Sequence, residues 1–241
     1  GIELSIGLQL VDTKDWNVRL NASYNTNHNK VLSIGNAVPF AIGGFSSRTV
    51  QTVVAEGEPV GFIRGYKAVL NPDNSLKEIL PLQNLGSTLP TAYGNFSLSA
   101  SYKNLSFMFS GDYQYGAYVH SFDRQFRFSK GLKDNAIPEK ALEGLDQGAN
   151  WLNFTNFFVE KSDFLKIRNI GIAYDYKPKK YLKSVNLAFN VYNPFAFTAS
   201  SVDPEAALAG ARSQGAVAVG GLNYSSYSTP RQYVGTIRVS F

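Results

Sequence analysis

The chain has 241 residues, no cysteine, a formal charge of +5 and 33 aromatic residues (17 Phe, 14 Tyr, 2 Trp). Its charged fraction of 17% lies below the roughly 25% of soluble domains, and no window holds the 18 or so consecutive apolar residues of a transmembrane helix. That excludes a helical membrane protein but not a membrane β-barrel, whose strands are only half apolar. The basic residues are scattered, apart from Lys177, Lys179, Lys180 and Lys183 in an expected turn. This pattern argues against a nucleic-acid partner.

Residues 2–11 alternate strictly, with Ile2, Leu4, Ile6, Leu8 and Leu10 on one face and Glu3, Ser5, Gly7 and Gln9 on the other. After the turn Asp12-Thr13-Lys14-Asp15, residues 16–26 alternate again, with Trp16 and Tyr24 bracketing Val18, Leu20 and Ala22. This predicts a hairpin. Aromatics at both ends of an aliphatic stripe mark a lipid-facing barrel wall. From Asn25 to about Pro90 the alternation lapses into a long connection, with strand-like pieces at 49–55 and 61–70.

A second hairpin follows at 93–103 and 105–116, turning at Lys103-Asn104, with serines filling one face. Small polar residues throughout suit a wet lumen better than a packed core. After another long connection, in which 138–145 is expected to form a short helix, the stretch 163–176 changes phase at Arg168-Asn169. A β-bulge there would put both of these side chains on the polar face. Residues 185–197 and 233–241 complete the set, the last being Tyr233-Val234-Gly235-Thr236-Ile237-Arg238-Val239-Ser240-Phe241.

Connections after the first, third and fifth strands are short, and those after the second, fourth and sixth are long. Outer-membrane barrels place short turns in the periplasm and long loops outside. The expected fold is therefore all-β: an antiparallel meander of about seven strands, with extracellular loops at about 27–92, 117–162 and 198–232. Seven strands do not close a bacterial barrel, whose strand number is even and at least eight. The chain is thus expected to be the C-terminal wall of a larger barrel. No signal peptide opens it, as expected if it belongs to something longer or has lost one.

Several stretches, in order, resemble the SusC/RagA family of TonB-dependent outer-membrane transporters of Bacteroidetes. Val159-Glu160-Lys161-Ser162-Asp163-Phe164-Leu165-Lys166-Ile167-Arg168-Asn169-Ile170 is similar to the family's E-x-x-D/S-F-L-R-L-R-N-I/V segment. Glu56–Gly61 resembles its G-x-P-x-G loop, Gly86–Pro90 with Gly94 and Phe96 its G-x-P-x-P…G-x-F, and Tyr102–Leu105 its Y-K-N-L/F turn. Asn193–Thr198 followed by Asp203-Pro204-Glu205 resembles N-L-F-x-F-T…D-P-E. Lys166 departs from the usual Arg, and the Gly/Ala-rich 206–221 departs from members with aromatics there.

The resemblance implies a 22-stranded barrel in the bacterial outer membrane. It implies a plug and TonB-binding segment, both expected outside this chain, and a SusD-like lipoprotein that helps capture oligosaccharides or peptides. It also makes the closing strand, with Tyr233, Ile237, Val239 and Phe241, a C-terminal insertion signal.

No catalytic, cofactor or metal site is expected, because His28 and His120 lie in loop-like sequence without ligand spacing. Asp203 and Glu205 could bind a cation, although a Pro-containing turn explains them more simply. The expected functional surface is the polar face. Arg19, Asp112, Arg168, Asp175 and Arg238 should face the lumen and pair with each other or with a plug. Trp151, Tyr224 and Tyr227 could stack on sugar rings or pack a loop. Transport has two competitors: a SusC-like barrel serving as a structural or assembly subunit, and a soluble sugar-binding sandwich.

Overall fold

The computed structural model describes residues 1–44, 50–178, 182–205, 221–224 and 227–241. Its centre is a seven-stranded antiparallel sheet of β1 (Ile2–Asp12), β2 (Trp16–Thr26), β7 (Ala92–Tyr102), β8 (Leu105–Tyr115), β11 (Phe164–Tyr176), β12 (Ser184–Thr198) and β14 (Gln232–Ser240). These strands lie side by side in chain order. The expected meander is present, with bounds within a residue or two.

The register shows why the alternation is so strict. One row runs Gln9, Arg19, Ser99, Met108, Gly171, Asn190, Val234; a neighbouring row runs Leu8, Leu20, Leu98, Phe109, Ile170, Val191, Tyr233. Polar and apolar residues are therefore largely sorted onto opposite faces of the sheet, Met108 and Val234 being the exceptions in the first row. The apolar face is bare: Ile2 is 59% exposed, Ile172 49% and Ile237 73%. Toward the short turns it carries Trp16 packed at a tilt against Tyr102, with 4.5 Å between ring centroids. At the opposite end it carries Tyr24, Tyr115 and Phe197, all exposed. Buried apolar side chains collect almost entirely elsewhere.

They collect in the long connections. The first folds as a four-stranded sheet of β3 (Phe40–Gly44), β4 (Gln51–Val54), β5 (Phe62–Leu70) and β6 (Leu76–Ser87). The sequence showed only its two middle strands. β6 was hidden because the β5–β6 pairing shifts register at three places and Leu82 takes a φ of +54° beside Pro81, which destroys any period of two.

The second connection holds β9 (Tyr118–Ser121), helix α1 (Phe122–Ser129), the short helix α2 (Gln147–Asn150), a 3-10 segment Trp151–Phe158 and β10 (Val159–Lys161). The helix expected at 138–145 is a single 3-10 turn, Glu139–Leu142. Helix α1 was missed because only Gln125 and Phe128 of its eight residues are buried, too few for a helical stripe.

The third connection contributes β13 (Leu222–Asn223), which pairs in parallel with β9, while β10 pairs with β9 on its other side. Lys179 and Lys180, and most of the Gly/Ala-rich stretch (206–220), lie outside the described residues.

Two small cores knit these connections into one body. Ala68 of β5 packs with Phe128, Ile137, Ala141, Phe154 and Phe158 of the second connection. Val50 and Ile63 of the first meet Leu222 of the third, with Tyr118 and Val159 of the second alongside. Asn156 caps the joint, accepting the Ala68 N–H at 2.9 Å and donating to its carbonyl at 3.3 Å.

Candidate functional site

The phase change in β11 is a bulge. Ile167 faces Gly111 and Asn169 faces Ser110, so Arg168 is an extra residue relative to β8. Against β12, Ile167 faces Phe195 and Asn169 faces Tyr192, which leaves Asn193 and Pro194 opposite Arg168. Asn193 absorbs the mismatch with a φ of +50°, the left-handed region that Asn tolerates better than most residues. The repair gathers Arg168 and Asn169 on the polar face. Arg168 bonds Asp112, and the Asn169 amide reaches the Met108 sulfur at 3.4 Å. Ile167 and Ile170 both remain in apolar rows.

The bulge creates a charge cluster. Arg168 grips Asp112 in a two-pronged pair, Nε–Oδ1 2.5 Å and Nη2–Oδ2 2.7 Å, and also pairs with Glu205. Lys166 Nζ donates at 2.6 Å to both Asp203 Oδ1 and Glu205 Oε2. The Lys166 and Asp203 side chains are only 5% and 8% exposed. Burial works against charge on Asp203, and the bonds from Lys166 and from the Glu205 N–H outweigh it. Glu205 is likewise desolvated and is rescued by Arg168 and Lys166. Both carboxyls are held below their ordinary range.

Asp203 and Glu205 are therefore engaged by side-chain cations, a role the sequence did not suggest. They pin the start of the third connection to the polar face. Its end is pinned by Asn193 Nδ2 donating to the Pro230 carbonyl at 3.2 Å and Arg231 donating to the Pro194 carbonyl at 2.5 Å. Between these anchors is a cleft of about 200 Å³ lined by Lys166, Asn193, Ser200, Asp203, Ser228 and Thr229.

Of the five charges singled out from sequence, only Asp112 and Arg168 form a pair with each other. Asp175 accepts from Asn186 Nδ2 at 2.8 Å, in the row that also holds Arg238. Arg19 sits between Gln9 and Ser99. Lys166 was the omission. Its place in the polar phase, two residues before Arg168, was the available signal.

The loop residues sort differently. His120 is fully buried in β9, its Nε2 2.5 Å from Gln125 Oε1, while Gln125 donates onward to Thr155 at 2.9 Å. Desolvation, reinforced by the charge of Arg124 against a partial offset from Gln125, pushes the imidazole down to about 4. It ties β9 to α1 through Gln125. His28 is exposed. Trp151 and Tyr224 both meet Phe122 edge-on, at 6.2 and 5.1 Å, and Tyr227 is 95% exposed. Arg124 forks onto Asp134 at 2.9 and 2.6 Å and pairs with Glu160. Glu160 in turn accepts from Ser201 of the third connection.

No family model matches the chain, and no curated protein does. Solved structures do. A chain of the RagAB peptide importer in its closed-closed state aligns with a TM-score of 0.70 and 20% identity, over 99% of this chain and 29% of that one. The open-open state gives 0.67, 20%, 99% and 28%. A further RagAB peptide transporter structure gives 0.68, 21%, 99% and 29%. This chain has the fold of part of a RagAB chain. It spans less than a third of the RagAB chains it matches. The RagAB-like fold is an antiparallel barrel wall, in agreement with the motifs that resemble SusC/RagA. Nearly the whole chain aligns, so the RagAB likeness takes in the folded connections as well as the wall.

Proposed function

We propose that the chain forms the C-terminal wall and outer loops of a SusC-like, TonB-dependent transporter in the bacterial outer membrane, importing oligosaccharides or peptides with a SusD-like lipoprotein. The observation that carries this reading is the bare apolar face running across all seven strands, bordered by aromatics at both ends. A soluble protein seldom exposes an apolar patch beyond a few hundred Å², whereas a barrel wall needs one to meet lipid.

The sheet's polar face then lines the lumen, with Arg19, Asp112, Arg168, Asp175 and Arg238 upon it, and the folded connections stand outside the cell. Lipid cannot satisfy unpaired backbone groups. The outer edges of β1 and β14 are accordingly completed by the rest of the parent barrel, which also carries the plug and reaches TonB. The closing strand, through Tyr233, Ile237, Val239 and Phe241, serves as the insertion signal.

Uptake of labelled peptides and oligosaccharides by host cells, with and without deletion of the parent gene, tests the reading. We expect uptake to require both the gene and the proton-motive force. Intact uptake in the deletion strain, combined with loss of another envelope complex, would favour the structural or assembly role instead. Phe241→Asp should sharply lower the amount of parent protein in the outer membrane. Normal levels would remove the signal role alone.

A further inference from the structure

The polar face of the sheet is not uniform. In its three central rows, β2 and β7 present Asn17, Arg19, Asn21, Ser97, Ser99 and Ser101. The same rows on β8, β11, β12 and β14 hold Met108, Gly171, Ala173, Ala188, Tyr192 and Val234, interspersed with short polar residues such as Ser106 and Asn190. Met108 is 51% exposed, and Tyr192 and Val234 are 37% exposed each. Lipid does not account for them. Strand alternation gives the opposite face to their chain neighbours Phe107, Phe109, Val191 and Tyr233.

These side chains border a hollow of about 310 Å³ lined by Ser106, Met108, Gly171, Ala173, Ala188 and Asn190. Asn190 leans over Gly171, where a Cβ would sit 2.3 Å from its Oδ1. Asn169 stands at the rim: its Nδ2 is 3.4 Å from Met108 Sδ and would be 3.7 Å from a Cβ on Gly171. That residue is only 9% exposed, yet its Oδ1 has no hydrogen-bond donor among the described residues. Buried polar atoms of native proteins rarely go unpaired.

A single apolar side chain on a wet surface is ordinary. Several around one hollow, beside a bare buried acceptor and with polar residues outside them, have the anatomy of half a protein–protein contact. The RagAB chains extend well beyond the 28–29% that aligns here, so such an architecture has polypeptide to supply the other half. We infer that the β8–β14 sector of the polar face is seated against a packed segment of the parent polypeptide outside this chain. That segment lays apolar side chains on Met108 and Val234, fills the hollow with one of them, and brings an N–H or O–H donor to Asn169. The wet path through the lumen then runs along β1, β2 and β7. The inference rests on the transporter reading above.

The test uses the full parent protein in lipid nanodiscs, with its cysteines replaced by serine; this chain contributes none. Ala188→Cys and Val234→Cys probe the packed sector, Gln9→Cys and Asn21→Cys the wet one, and a charged maleimide reads their accessibility. The first two should react more slowly by roughly tenfold or more, because burial limits reaction to local opening, and the difference should vanish in denaturant. Benzoylphenylalanine placed at Met108 should crosslink to parent polypeptide outside this chain. Ala188→Arg should abolish that product while leaving the amount of protein in membranes nearly unchanged. Equal rates in the two sectors, or crosslinks confined to this chain, would overturn the inference. Ile172→Cys, on the apolar face, separates the two levels. If it reacts as fast as Asn21→Cys, the wall does not face lipid, and the transporter reading falls together with this one. If it is shielded while Ala188→Cys and Val234→Cys react freely, this inference alone falls.

Discussion

Lys166 holds Asp203 at 2.6 Å with both side chains almost wholly withdrawn from water, and this pair fixes where the third connection leaves the wall. Removing one partner of a buried pair strands the other, at a cost of about 3–5 kcal/mol. Lys166→Met should therefore destabilise the protein by about that amount and expose residues 199–205 to hydrogen exchange. Lys166→Met combined with Asp203→Asn should lose clearly less, because Asp203 no longer carries a stranded charge and Glu205 keeps Arg168. Equal losses in urea unfolding would show that the charge balance is not what matters.

Gly94 gives a second prediction. A Cβ there would lie 2.0 Å from the Ser23 carbonyl oxygen and 2.7 Å from the Tyr113 hydroxyl, which itself donates to Ser23 O at 3.1 Å. Gly94→Ala must part β7 from the Ser23 backbone of β2 as well as displace the tyrosine, and should cost at least the roughly 1–3 kcal/mol of other overpacked sites. Tyr113→Phe loses only the hydrogen bond and should cost about 1 kcal/mol. The two unfolding midpoints, measured side by side, test the order.

Neighbouring residues on β11 can report which face meets lipid. Ile172 stands on the apolar face, while Ala173 shares its row with Ser106 and Ala188 on the polar one. Arginine facing the bilayer midplane costs about 2–4 kcal/mol, and far less in a lumen. Ile172→Arg should thus depress assembly into membranes while Ala173→Arg leaves it nearly unchanged. A reversed pair would invert the assignment of the two faces.

His120 makes the loop body sensitive to mild acid. Its pKa, about 4 when folded against 6.5 in the unfolded chain, means that the unfolded state takes the proton first. Stability is full above the unfolded value and is lost as pH falls from about 6.5 toward 4, by on the order of 3 kcal/mol in total. Hydrogen exchange in β9 and α1 should accelerate across that window. His120→Gln should flatten the response; an unchanged pH dependence would assign it to another group.

The wall was legible because a sheet with one lipid-like face and one wet face imposes a period of two on every strand. Even the fault at Arg168-Asn169 announced itself as a change of phase. The folded connections were not legible in the same way. β6 is irregular, α1 buries two residues, and the cores join side chains as distant in sequence as Ala68 and Phe158 or Ile63 and Leu222. The site was half visible. Strand phase placed Asp112 and Arg168 on one face, but nothing local tied them to Asp203 and Glu205, which return to the wall some 35–40 residues after Lys166 and Arg168. Family-like residues also gained physical reasons. Gly94 makes room for Tyr113, and Phe96 lies over Gly111, where a Cβ would sit 2.4 Å from its ring.

The joining of the three connections through β9, Asn156 and the Arg124–Glu160–Ser201 chain bears on how such a surface can diversify. Independent loops can be exchanged singly, as interchangeable parts on a fixed frame. These cannot: a graft of one would leave another's core open, strand a carboxylate or remove a strand's partner. New specificities in this lineage would arise by inheritance of the whole outer body as a block, or by point changes at exposed positions such as Tyr227, with the interlocked residues staying together.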